Sequence, residues 1–227
     1  MRLTALYSGG KDSTYAIWLA LKEGHSIECL LTMFPEKTDS FMFHVPNLNL
    51  AVFGAKAMGF PLVERKTSGE KEKELLDLEK ALKGIVKKHR TEGILSGAIA
   101  SKYQKERIDR IAQNIGQKCL SPLWGKNNTA LLKEMVSNGF KIIVVGVYAG
   151  GLNENWLGKT IGKKEIIELE ELQKKFSISP LGEGGEIETL VVDCPLFKKK
   201  IKIIKTEKKW NGLRGEFLVK KAVLEKK

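Results

Sequence analysis

The chain has 227 residues, 42% of them hydrophobic and 29% charged, with a formal net charge of +12. At about 150 residues per domain this gives one to two domains and enough apolar material for a real core, which disfavours a disordered chain. The longest nearly uncharged apolar run, Ile142 to Leu152, is far short of the roughly 20 residues a membrane-spanning helix needs. The start, Met1-Arg2-Leu3-Thr4-Ala5-Leu6, lacks the pattern of a cleaved export signal. Three isolated cysteines, Cys29, Cys119 and Cys194, form no C-x-x-C pair and suit a reducing cytoplasm. Most of the net charge lies in residues 198–227, which hold twelve Lys or Arg against three Glu. Such a segment suits a solvated strand face and also suits an acidic macromolecule, RNA or protein.

In chain order, Leu3–Tyr7 is too short and apolar for a helix and ends at Ser8-Gly9-Gly10, which predicts a buried strand and a tight loop. Thr14–Lys22 is then a helix stopped near Gly24. The same grammar repeats: strand Ile27–Met33, helix Leu48–Met58, strand Pro61–Arg65, and a polar linker Lys66–Glu70. Next comes a helix carrying Leu75, Leu78, Leu82, Ile85 and Val86 at helical spacing. Strand Gly93–Ile99, helix Tyr103–Ile115 and a short strand Cys119–Leu120 follow. Strands separated by helices imply parallel pairing, hence an α/β doubly wound sheet whose ligands bind beyond the carboxyl ends of its strands.

After Ser121 come helix Thr129–Asn138, strand Lys141–Tyr148 and helix Lys163–Phe176. Strands Glu188–Val192, Ile201–Thr206 and Glu216–Val223 close the chain, the last two joined around Asn211-Gly212. This predicts a doubly wound domain over residues 1–123 and a smaller C-terminal α+β domain over residues 124–227.

The chemistry centres on Ser8-Gly9-Gly10-Lys11-Asp12-Ser13, between a strand and a helix start, where backbone N–H groups favour an anion. The glycines let backbone approach phosphates, Ser8 and Ser13 bring hydroxyls, Lys11 a cation, and Asp12 a carboxylate suited to Mg²⁺. The spacing is neither a Walker A loop nor a dinucleotide fingerprint. It resembles the PP-loop of the ATP pyrophosphatases, Rossmann-like enzymes that cut ATP between the α and β phosphates and adenylate a carboxylate or carbonyl oxygen. The acceptor remains open at this point, since amide ligases and tRNA-modifying enzymes share the loop.

Further segments narrow it. Met42-Phe43-His44, Gly97-Ala98-Ile99 with Tyr103-Gln104 and Arg107, Pro122-Leu123-Trp124, and Glu183-Gly184-Gly185-Glu186-Ile187-Glu188-Thr189 resemble the diphthine ammonia ligases, or diphthamide synthetases. Leu132-Lys133-Glu134-Met135 and the stretch from Gly151-Leu152 to Leu157-Gly158 extend the likeness to nearly the whole chain. The resemblance implies an enzyme that uses ATP to activate the carboxylate of diphthine on translation elongation factor 2, and ammonia to displace AMP and form diphthamide. It also implies an archaeal-type single-module form, the longer eukaryotic enzymes carrying additional C-terminal domains.

Within that frame, Lys11, Asp12 and Arg107 are the catalytic candidates. The backbone of Leu31–Met33 is expected to meet the adenine edge. His44 is expected to reach ATP or the reacting centre, or else fills surface. Gly97 passes close to ribose or phosphate, or simply turns the chain. Tyr103 and Arg107 share a helical face beside Gln104, with Arg107 suited to an anion or to surface pairing with Asp109 or Glu106. Glu183, Glu186 and Glu188 crowd three carboxylates together and call for a cation, a metal or a proton, or form a solvated hairpin. Diphthine's trimethylammonium is such a cation, with Trp124 or Trp156 as its aromatic wall. The absence of a glutaminase module points to free ammonia as nitrogen donor. A PP-loop enzyme adenylating tRNA and a non-catalytic ATP sensor stay as alternatives, and self-association is also compatible with the sequence.

Overall fold

A computed structural model describes residues 1–36, 46–70 and 72–227. The chain forms two compact units, one of Met1–Ser8, Asp12–Lys56 and Phe60–Trp124, the other of Gly9–Lys11, Ala57–Gly59 and Gly125–Lys227.

The first unit is a five-stranded sheet of β1 (Arg2–Leu6), β2 (Ser26–Pro35), β3 (Leu62–Thr67), β4 (Gly93–Leu95) and β5 (Lys118–Leu120). Its order is β3-β2-β1-β4-β5, with every pair parallel. Leu3, Thr4 and Ala5 are all fully buried, the mark of a central strand covered on both faces. The edges carry charge instead, Glu64, Arg65 and Lys66 being exposed on β3 and Lys118 on β5. Helices α1 (Lys11–Lys22), α2 (Ala51–Met58), α3 (Lys73–His89) and α4 (Lys102–Asn114) make the crossovers, α2 being entered through a single 3₁₀ turn, Leu48–Leu50. One core joins Cys29, Leu31 and Met33 of β2 to Leu78, Leu82 and Ile85 of α3 and Ile108, Ile111 and Ala112 of α4.

Two differences from the sequence reading bear on the site. Helix α1 begins at Lys11 rather than Thr14, so Lys11, Asp12 and Ser13 form its first turn. Strand β4 ends at Leu95 rather than Ile99, because Ser96 closes a local turn by accepting the Ala98 N–H on its hydroxyl at 3.2 Å.

The second unit carries α5 (Asn128–Ser137), β6 (Lys141–Val147), α6 (Lys163–Phe176), β7 (Ile187–Asp193), β8 (Lys199–Trp210) and β9 (Gly215–Lys226). Its antiparallel sheet runs β7-β6-β9-β8. Leu131, Leu132 and Met135 of α5, Ile142 to Val145 of β6, and Ile166 and Leu169 of α6 are buried and supply its core. The β8–β9 hairpin turns at Asn211-Gly212, with Gly212 at φ 95° and the Asn211 carboxamide oxygen accepting from the Leu213 and Arg214 amides. Both strands are much longer than the apolar runs suggested.

Candidate functional site

Strand β1 ends at Leu6 and α1 takes the chain up at Lys11, leaving a bend of four residues, Tyr7 to Gly10, between them. Gly9 adopts φ 84°, a conformation that disfavours any side chain. The ends of the bend are pinned together: Ser8 N–H donates to Ser13 Oγ at 3.3 Å, and the two hydroxyls lie 3.3 Å apart. Within the second unit the Gly9 carbonyl accepts the Val191 N–H at 3.0 Å, and the Lys11 N–H donates to Thr189 Oγ1 at 3.3 Å. Lys11 and Ser13 are buried. A helix start, a positive-φ glycine, two hydroxyls and a lysine make a donor set that fits a polyphosphate.

In the order β3-β2-β1-β4-β5 the direction of winding reverses between β1 and β4, and the residues following these two strands face the resulting crevice. Gly97 follows β4 and packs on the loop itself. A Cβ there would lie 2.8 Å from Ser13 N and 2.9 Å from the Asp12 carbonyl carbon, so only glycine lets the two chain segments touch. The close approach anticipated at Gly97 is thus made to the loop backbone.

On the other side, Leu31 and Met33 bury their side chains in the core. The Leu31 carbonyl is taken by Tyr7 N–H at 2.9 Å. Since alternate residues of a strand point their backbone groups to the same side, Met33 presents its N–H and C=O beyond the last residue of β1. A hollow lined by Phe34, Glu64, Arg65 and Lys66 opens next to it. His44, together with Met42 and Phe43, lies outside the described residues.

Helix α4 is capped by Ser101, whose hydroxyl accepts the Gln104 N–H. The Arg107 guanidinium lies 3.5 Å from the Tyr103 ring centroid and donates to the Tyr103 carbonyl at 3.3 Å. Its ionic neighbour is neither Asp109 nor Glu106 but Glu72, at 3.9 Å, while Asp109 pairs with Lys105 at 2.7 Å. The Arg107 Nε is buried without a hydrogen bond among the described residues.

In the second unit the three glutamates separate by role. Both oxygens of Glu186 accept backbone amides, from Ser179 at 2.9 Å and Gly184 at 2.8 Å, so this carboxylate ties together its own loop. Glu183 lies in that loop, before β7 begins at Ile187. Glu188 sits on β7 in a row that crosses the whole sheet: Glu188 opposite Gly146, Gly146 opposite Glu216, Glu216 opposite Lys209. Over the glycine gap folds Tyr148, whose ring would lie 2.7 Å from a Cβ at Gly146 and whose hydroxyl donates to Glu216 Oε1 at 3.2 Å. Burial, then the Glu216 charge, pushes the Tyr148 phenol well above its usual range.

Sequence reasoning does not single out the Tyr148–Glu216 contact, although a lone glycine inside the apolar run Ile142–Tyr148 is the signal of such a close approach. Neither tryptophan stands in that row. Trp156 is buried with Lys159 Nζ 4.6 Å from its ring centroid, and Trp124, exposed in the first unit, has Lys105 Nζ at 5.6 Å.

Among the described residues no three His, Cys, Asp or Glu side chains are grouped to hold a metal, and no helix is long and apolar enough to cross a membrane. Cys119 and Cys194 are held protonated by burial, which raises their thiols to about 11 and about 12.

The first unit is thus a doubly wound parallel α/β sheet with the Ser8–Ser13 loop at its switch point, joined in one chain to an antiparallel α+β unit. Residues 1–119 match the diphthamide synthase N-terminal domain and residues 127–224 the diphthamide synthase C-terminal domain. The chain belongs to the diphthamide synthase family. It is 37% identical over 226 residues to the diphthine--ammonia ligase of Rattus norvegicus and 36% identical over 226 residues to that of Homo sapiens. Each match covers 91% of this chain and 84% of the relative. The diphthine--ammonia ligase of Schizosaccharomyces pombe is 36% identical over 217 residues, covering 88% of this chain and 36% of that one. The match thus spans most of the two mammalian proteins and about a third of the fission yeast one.

Proposed function

We propose that this protein is an ATP-dependent amide ligase that converts diphthine on translation elongation factor 2 to diphthamide, with ammonia as nitrogen donor. The observation that carries the reading is the Ser8–Ser13 loop at the β1–β4 switch point, packed against Gly97, in a chain matched along most of its length by diphthine--ammonia ligases.

The adenine meets the free backbone of Met33, and the first-turn amides of α1 with the Ser8 and Ser13 hydroxyls bind the polyphosphate tail. Lys11 offsets the charge that grows on the oxygen bridging the α and β phosphates. Arg107, held on the Tyr103 ring in the first turns of α4, steadies the α-phosphate, beside Gln104. The diphthine carboxylate oxygen attacks the α-phosphorus and pyrophosphate leaves. Ammonia then attacks the acyl carbon, a proton departs, and AMP leaves. Asp12 would hold Mg²⁺ through one carboxylate and the phosphates, a common way for this ion to bind, and the ion would supply charge neutralisation.

We assign residues 1–123 to ATP binding and 124–227 to the acceptor. Glu188 and Glu216 attract diphthine's trimethylammonium, Tyr148 offers the nearest aromatic surface, and Glu186 shapes the loop that contains Glu183. The reaction belongs in the cytoplasm, where the three isolated cysteines stay reduced.

The test incubates the protein with ATP, ammonium and diphthine-bearing elongation factor 2. Mass spectrometry of the factor is expected to show conversion of acid to amide, and chromatography AMP with pyrophosphate. ADP as the main product would refute the reaction.

A further inference from the structure

The β8–β9 hairpin carries an electrostatic conflict. Directly opposite each other across the ladder stand Lys199 and Lys226, and again Lys205 and Lys221, like-charge pairs that destabilise a hairpin standing alone. Nearby acids do not relieve it. Glu207 pairs with Lys220 at 2.7 Å, and Glu225 with Lys200 and Lys202 at 2.9 and 2.6 Å. Glu216 takes the Tyr148 hydroxyl. Lys205, Lys208, Lys209 and Lys221 are exposed with no ion pair among the described residues. Apolar side chains are exposed among them, Ile204 at 49% and Leu213 at 81%.

We infer that the hairpin is a docking arm for an acidic, partly apolar face of the protein acceptor. The inference rests on the proposed function only in taking the acceptor to be a protein. Composition favours protein over RNA: eleven of the twelve cations in 198–227 are lysines, whereas forked contacts to phosphate favour arginine. The only aromatic residues of that segment, Trp210 and Phe217, are not exposed, and Phe217 packs on Gly158, so no platform is offered to a base. A strongly positive arm with exposed aliphatic tips complements a negative protein surface.

Lys205→Glu and Lys221→Glu each convert a like-charge pair into an attractive one, so both variants should melt no lower than the parent. Docking is expected to weaken on the order of tenfold at low salt, with the difference vanishing near 1 M salt, where charges are screened within about 3 Å. Calorimetric binding of diphthine-bearing elongation factor 2 reads this without any chemistry. The ratio of kcat/KM on the whole factor to that on a short diphthine-bearing peptide should fall in parallel. Unchanged binding of the factor would overturn the inference, as would equal losses on factor and peptide, or loss of bulk tRNA binding with the factor's affinity retained. Failure of the wild-type protein to form amide on either acceptor would instead refute the proposed function, while the calorimetry would still decide the docking.

Discussion

Gly97→Ala isolates the contact between the end of β4 and the phosphate loop. Gly97 is not in the left-handed region, so alanine carries no conformational penalty there and the cost is steric alone. The added Cβ would meet Ser13 N at 2.8 Å, the Asp12 carbonyl carbon at 2.9 Å and its oxygen at 3.1 Å, all backbone atoms with no rotamer to escape into. Ordinary contact begins at 3.4 Å, so one segment must yield by about 0.6 Å. Overpacking of this kind costs about 1–3 kcal/mol. A displacement approaching 1 Å at a reacting centre costs up to about 100-fold, so pyrophosphate release should fall roughly ten- to 100-fold. Gly84→Ala is the matched control: Gly84 lies inside α3 with nothing within 4 Å of a Cβ, so alanine should raise stability by about 0.5–1 kcal/mol and leave turnover alone. Initial rates of pyrophosphate release and urea unfolding on both variants settle the matter. Gly97→Ala with parental stability and turnover would refute the packing; a destabilised variant with normal turnover in its folded fraction would separate this contact from the chemistry.

Lys11→Ala and Asp12→Ala should keep the circular dichroism spectrum and lose about 100- to 1,000-fold in pyrophosphate release, since charge stabilisation matters most in the transition state; near-normal rates in both would remove the loop from the site. Glu186→Gln trades one of two backbone acceptors for an amide and should lower stability by about 1–2 kcal/mol, whereas Glu188→Gln should leave melting and ATP affinity unchanged and reduce amide yield roughly five- to 150-fold. The reverse pattern, read by calorimetry and mass spectrometry, would exchange their roles. The raised thiols of Cys119 and Cys194 should resist iodoacetamide at pH 8 until urea is added. Because the unfolded chain sheds these protons first, it binds fewer of them above pH 9, so this contribution to stability falls as pH climbs toward 11; rapid alkylation of the folded protein would contradict the burial.

Alternation of apolar strands with helices was legible because a parallel sheet buries its central strands on both faces, leaving runs such as Leu3–Tyr7 without polar interruption. The loop was legible because its glycines, serines and lysine are adjacent in sequence. What escaped depends on neighbours distant along the chain. Lys11–Ser13 have no apolar period, so the start of α1 was hidden. In Gly93–Ile99 small and apolar residues look alike whether extended or turning, and only the Ser96 hydroxyl ends the strand. Tyr148 and Glu216, 68 residues apart, meet only because β9 inserts beside β6, an order that no local pattern specifies. The division of labour between Glu186 and Glu188 is likewise set by which backbone amides a loop happens to present.

Strand β8 is the outer edge of its sheet, and at twelve residues it is long. Edges of that length invite a second copy of the chain to add a strand, the first step toward aggregation. The lysines spread along it, with the irregular register near Ile203 and Lys205, discourage that pairing by charge and by shape. They thus guard solubility independently of any partner. Neutralising them together, by acetylation or by exchange for threonine, should leave the chain folded but lower the concentration at which it precipitates.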